Sequence, residues 1–344
     1  MRRPVQCLHP AGGWEAVLGQ TRSDAGGSEL SFRFAKPVSH WSKDVFLSVL
    51  LSIICIFTVV LNLLVIISIS HFRQLHTPTN HLLLSLAVSD VLVGLLVIPV
   101  EIYMRTSCWT LGDVLCCLWV YMTVTLTSVS VGNMVLISAD RYVAICDPLH
   151  YNTKVTVKRV QLCVCLCWFF ALLLCSIIVK DQLAHPGKYY SCYGECVIGI
   201  DFEGGIFDLV VTFVLPLSII ITLYMRVFVV AVSQAQTMRS HVTSVKLQHS
   251  VKGRAKKSEL KAARTLGVLV LVFLMCLCPF YSLSLAHDKK IMSLFAKYAS
   301  YLYELNSCLN PLLYALFYPW FRRAVRHIVT LHILQPGSCG DSIM

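Results

Sequence analysis

Four acidic residues stand inside long apolar stretches of this chain, where each is expensive without a partner. Asp90 follows Leu86-Ala87-Val88-Ser89, Asp140 precedes Arg141 and Tyr142, Asp208 is the one charge between Ile206 and Leu215, and Glu304 sits between Tyr303 and Leu305. Hydrocarbon offers a carboxylate no water, so such a residue pairs with a cation, binds an ion or lines a wet cavity. Asp208 is read as the counter-ion of a cationic ligand, against a plain interfacial carboxylate wetted from outside. Glu304 is read either as a second counter-ion, suiting a ligand with two amines, or as a protonated, hydrogen-bonded acid. Asp90 among neutral oxygens suits a hard cation, or closes a polar core by hydrogen bonds alone. Asp140-Arg141 is interface charge or one side of a breakable bridge. None of this chemistry implies catalysis.

The elements that must position these residues follow from composition. Hydrophobic residues make up 56% of the 344 positions and charged ones only 14%, with a mean hydropathy of +0.70. A soluble domain keeps more charge on its surface, so the class is integral membrane protein. Runs long enough to cross a core of about 30 Å lie near residues 44–71, 80–104, 114–138, 160–180, 205–233, 264–286 and 293–317. The fold expected is an all-α membrane protein, a seven-transmembrane helix bundle with a short amphipathic eighth helix. Residues 1–43 form an extracellular, poorly ordered N-terminal segment, 44–317 the bundle, and 318–344 the eighth helix and cytoplasmic tail. The net charge of +11 collects in the loops after the first, third, fifth and seventh spans. That pattern places those loops inside and the N-terminus outside, and it is not a nucleic-acid signature. Most of the 16 cysteines fall within spans, where they act as small packing residues. Cys276 and Cys278 lack a His or carboxylate to complete a metal set.

The last span closes on Asn306-Ser307-Cys308-Leu309-Asn310-Pro311-Leu312-Leu313-Tyr314, followed by Tyr318-Pro319-Trp320-Phe321; the third ends in Asp140-Arg141-Tyr142. Asn310-Pro311-x-x-Tyr314 resembles the seventh-helix motif of rhodopsin-like G-protein-coupled receptors. The longer pattern, together with Cys108-Trp109-Thr110-Leu111-Gly112-Asp113, resembles the trace amine-associated receptors. About eight fixed positions make chance a poor explanation. The resemblance covers about residues 43–328; the first forty do not share it.

The resemblance implies roles residue by residue. Glu259 would bridge Arg141 in the inactive state, and Arg141, once freed, would meet the C-terminal helix of a stimulatory G protein. Tyr224 and Tyr314 match tyrosines that swing inward on activation. Asn62, Ser130, Asn306, Ser307 and Asn310 would surround Asp90 at an allosteric sodium site. Cys116 would pair with Cys196, and Cys192 with an N-terminal cysteine, for which only Cys7 is available. Two departures stand out. The third-span position that carries the amine-binding Asp is Thr123, a neutral hydroxyl, and the Trp expected two residues before Pro279 is Leu277. A subset of fish receptors in this family carries its acid in the fifth helix instead, as Asp208 does here.

The ligand site expected is therefore Asp208 and Glu304 with Thr123, Thr127, Thr212, Phe280, Tyr281 and Tyr303. Its aromatic members offer faces to an ammonium. The function expected is an olfactory amine receptor of the plasma membrane, on olfactory cilia, that raises cAMP through a stimulatory G protein. The rivals are a serotonin-like monoamine receptor, which Thr123 argues against, and a degenerate receptor for a non-amine ligand. An opsin fails because Glu304 stands where its retinal-linking Lys belongs, and a transporter would need inverted repeats.

Overall fold

Thirty-one consecutive helical residues, Trp41–His71, open the bundle, long enough at 1.5 Å per residue to cross a bilayer. The computed structural model describes residues 31–32, 41–107, 109–184, 196, 198–199, 202–242, 267–268, 270–282, 289–340 and 342–343. The second helix starts at Pro78 behind a Thr77 cap whose hydroxyl accepts from the Asn80 amide at 3.3 Å. Its α-helical Pro78–Leu92 passes through a π turn at Val93–Val97 into Ile98–Thr106. The third is Gly112–Cys146, and the fourth, Val157–Ile178, starts behind a Thr156 cap. The fifth joins Phe202–Asp208, a π turn at Leu209–Val214 and Leu215–Val242. The sixth is described over Val270–Ser282, the seventh is Lys289–Phe317, and an eighth helix follows at Pro319–Val329.

The bundle has the seven expected helices, and among the described residues five are long and apolar enough by length and composition alone to cross a membrane. The third helix runs eight residues beyond the span read from hydropathy, because Asp140 and Arg141 neutralise one another and the backbone continues through them. Helices approach closely where glycine permits. A Cβ on Gly132 would lie 2.4 Å from the Cys167 sulfur of the fourth helix, and one on Gly94 would lie 2.7 Å from Val59 of the first. The interior is a continuous apolar cluster that includes Leu86, Met134, Ile137, Phe273, Leu277 and Tyr314.

The two ends differ. One carries the disulfide between Cys116 and Cys196, with Cα atoms 5.6 Å apart. Next to it Ser31–Phe32 pairs antiparallel with Ile198–Gly199, a small bridge absent from the all-α expectation. The opposite end carries Arg141 and the amphipathic eighth helix, which buries Phe321 and Ala324. Beyond it the chain folds back. Ile343 is fully buried against Phe72, Leu75 and Ala324. Its amide donates to Gln74 Oε1 at 3.2 Å, and the Ser338 hydroxyl lies 3.0 Å from the His71 ring. Ser338 and Ile343 thus clasp the eighth helix to the loop between the first two.

Candidate functional site

The acid of the fifth helix sits where its helix changes pitch. Asp208 is the last α-helical residue before the π turn, and Thr212 lies within that turn. The Thr212 hydroxyl reaches the Asp208 backbone carbonyl at 2.6 Å and its carboxylate at 3.0 Å. It also lies 3.1 Å from the hydroxyl of Tyr281 on the sixth helix. Tyr281 stacks on Phe213, rings 4.4 Å apart and 17° from parallel, and meets Phe280 edge-on at 5.5 Å. Phe280 in turn contacts Tyr303 of the seventh helix at 5.1 Å, and the Tyr303 and Thr127 hydroxyls are hydrogen-bonded. Six of the eight expected ligand residues, Asp208, Thr212, Tyr281, Phe280, Tyr303 and Thr127, therefore form one belt through the third, fifth, sixth and seventh helices. Thr123 offers that belt nothing anionic, since its own hydroxyl is turned to the Trp119 carbonyl at 2.9 Å. Glu304 is buried, and Tyr303 stands within electrostatic reach of both Asp208 and Glu304.

Below the belt lies a cavity of about 30 Å³ whose polar lining includes Thr123, Thr127, Ser130, Glu304, Asn306 and Ser307. One water needs roughly 10–15 Å³ on this measure, so the space suits a small ion or a water pair rather than an arylalkylamine. Phe273 and Leu277 close one apolar side. Nearby, the Asn310 amide donates to Asp90 at 2.9 Å, and the Asn62 amide donates to the Ser307 carbonyl at 3.0 Å. Asp90 Oδ1, Asn62 Oδ1 and Asn306 Oδ1 are all buried oxygens with no hydrogen-bond partner among the described residues. A group of buried acceptors lacking donors is the chemistry a hard cation satisfies, so the residues present fit a sodium ion. The π turn at Val93–Val97 lines the same cavity, and such turns concentrate at functional sites.

At the other end Arg141 is held by its neighbour. Its Nε donates to Asp140 at 2.9 Å, and its Nη2 reaches both Asp140 and Thr79. Asp140 also accepts from the Thr79 hydroxyl at 2.9 Å and the Tyr151 hydroxyl at 2.7 Å. Burial and the Asp140 carboxylate push the Tyr151 phenol above its ordinary pKa. Thr79 and Tyr151 were not legible as site residues: a single hydroxyl carries no periodicity, and both reach Asp140 only through the fold. The Lys154 ammonium and the His150 ring hold the exposed Asp147 carboxyl down to about 2, bracing the short helix Tyr151–Lys154. Glu259, the bridge partner expected for Arg141, lies outside the described residues, as do Cys7 and Cys192. Tyr142 is half-buried on the third helix; Tyr224 packs against the core and Tyr314 is buried within it, one turn beyond Asn310 and Pro311.

Comparison with known proteins shows the family. Residues 61–314 match the family 7 transmembrane receptor (rhodopsin family). The chain is 36% identical to trace amine-associated receptor 1 of Mus musculus over 313 residues, 87% of this chain and 94% of that one. It is 36% identical over 319 residues to trace amine-associated receptor 13c of Danio rerio, covering 88% and 91% respectively. Over 298 residues it is 36% identical to trace amine-associated receptor 8a of Rattus norvegicus, covering 82% and 85%.

Proposed function

Because the chain belongs to the trace amine-associated receptors, a branch of the rhodopsin-like seven-transmembrane receptors, we propose that it senses amines through Asp208 and signals by a stimulatory G protein. The observation that carries the reading is the setting of Asp208. It is oriented by a hydroxyl from its own helix, which a second helix braces in turn, while Thr123 has no charge to offer. A carboxylate held in place before ligand arrives loses less freedom on binding than a mobile one. The ammonium would pair with Asp208, with the faces of Phe280, Tyr281 and Tyr303 around it. Glu304 would take the second charge of a diamine. Asp90, Ser130, Asn306, Ser307 and Asn310 would hold a sodium ion, which would supply positive charge to a core of unpaired oxygens. Activation would release Arg141 to the G protein, raising cAMP, with olfactory cilia of the plasma membrane the site of action and the N-terminus outside.

The test is Asp208→Asn, which keeps size and deletes charge. Truncating one partner of a partly desolvated charge pair costs about 2–5 kcal/mol, or roughly 30- to 5000-fold in potency. Amine-driven cAMP should fall by that factor at matched surface expression; full potency would show that the charge is held elsewhere. Glu304→Gln should then weaken α,ω-diamines much more than monoamines, and an equal loss of both would make Glu304 structural.

A further inference from the structure

The sixth helix carries Pro279, and the aromatic residue expected two positions before it is missing here. Leu277 is buried and carries only an apolar branch, so it makes no directional contact. Four residues further out, on the other side of the proline, Tyr281 does. Its hydroxyl lies 3.1 Å from Thr212 Oγ1, which lies 3.0 Å from the Asp208 carboxylate. Tyr281 and Thr212 are 5% and 4% exposed, so water does not compete for these bonds. A threonine hydroxyl has one proton. Both remaining contacts of Thr212, to the Asp208 carbonyl and carboxylate, are acceptors and take that proton. The proton between Thr212 and Tyr281 is therefore the phenol's, and the chain runs in one direction from Tyr281 through Thr212 to Asp208. Aligned hydroxyls of this kind polarise one another in a low-dielectric interior.

We infer that Tyr281 is the residue through which the sixth helix reads the charge at Asp208. The inference rests on the proposal that Asp208 is the ligand's counter-ion, and it adds the link from that acid to the sixth helix. Tyr281 is a positioning residue: it orients the carboxylate through Thr212 before ligand binds. An ammonium arriving at Asp208 competes with Thr212 for carboxylate lone pairs. The Thr212 proton then shifts towards the backbone carbonyl, and the Tyr281 bond changes with it. A ligand shifts an equilibrium only by interacting differently with the two forms, and this chain places that difference on the contact between the fifth and sixth helices. The stack of Tyr281 on Phe213, the residue next to Thr212, keeps the two helices in register while the bond changes.

The experiment measures cAMP against 2-phenylethylamine and 1,5-diaminopentane, with surface expression matched. Tyr281→Phe keeps the ring and its stack and deletes only the hydroxyl; Thr212→Val keeps shape and deletes the relay. Each should lower potency about tenfold, the scale of one buried hydrogen bond to a charged network, and each should lower the maximal response. Thr212→Ser, which retains a hydroxyl, should recover most of the potency lost in Thr212→Val. The double variant should be no worse than either single one, because both cut one chain. Unchanged potency and maximum in Tyr281→Phe, or additive losses in the double variant, would overturn the relay. Asp208→Asn measured in parallel separates the two ideas. Full potency there removes the counter-ion itself, whereas loss there beside an intact Tyr281→Phe removes only the relay.

Discussion

Neutralising Asp140 should switch the receptor on without ligand. Its buried carboxylate accepts from Arg141, Thr79 and Tyr151 at 2.7–2.9 Å from the Nε and the two hydroxyls, all three partners being half-buried. Asp140→Asn leaves an acceptor in place but turns charge-assisted bonds into neutral ones. Hydrogen bonds to charged groups contribute about 1.5–3 kcal/mol and neutral ones about 0.5–1.5. A net loss near 2 kcal/mol from the resting form is therefore reasonable, about 30-fold in the equilibrium. A receptor resting with about 1% in the active form would move to roughly a fifth or a quarter active. Tyr151→Phe, which removes one of the three partners, should give a smaller rise, about 12-fold at the low end of the charged range. The assay is basal nucleotide exchange on a purified G protein together with basal cAMP, both normalised to receptor at the surface. Resting output equal to the parent in both variants would refute the view that this cluster holds Arg141 back.

Two further outcomes concern the same end of the molecule. Ile343→Asp should release the tail clasp, since burying an Ile side chain contributes about 1.5–3 kcal/mol; hydrogen exchange over Arg73–Leu75 and the eighth helix should rise, and unchanged protection there would show that the clasp holds nothing. The Asp147 carboxyl, depressed to about 2 by Lys154 and His150, contributes stability that is complete above the ordinary carboxylate value near 4 and fades only as pH falls through about 2. Protection of the amides of residues 147–154 should thus be flat in Asp147 charge between pH 5 and about 8, and Asp147→Asn should lower it throughout that range.

Much of the fold was readable because membrane helices announce themselves locally. Seven apolar runs and an Asn-Pro pair need no tertiary information, and the third helix was misjudged only where Asp140 and Arg141 ended the apolar run before the helix ended. The contact of Asp208 with Thr212 one turn away was likewise legible from spacing. What escaped was contact across long stretches of chain. Ile343 belongs to no periodic apolar pattern in the tail, yet it packs against Phe72. Thr79 and Tyr151 declare themselves only once the second helix, the third helix and the short helix at Tyr151 meet at one carboxylate. The pairing of Ser31–Phe32 with Ile198–Gly199 joins segments that share no sequence signal.

The π turn at Leu209–Val214 has a meaning for anyone comparing this receptor with its relatives. A residue added to one helical turn rotates everything on its outer side by about 100° relative to the inner side. Asp208 lies just outside that turn and Pro216 just inside it. Two receptors aligned without a gap at Pro216, one with the wide turn and one without, would show an acid in the same column pointing at different neighbours. The fifth helix works in this respect as a vernier, and a single insertion or deletion between Asp208 and Pro216 could retune amine selectivity while leaving every contact residue unmutated.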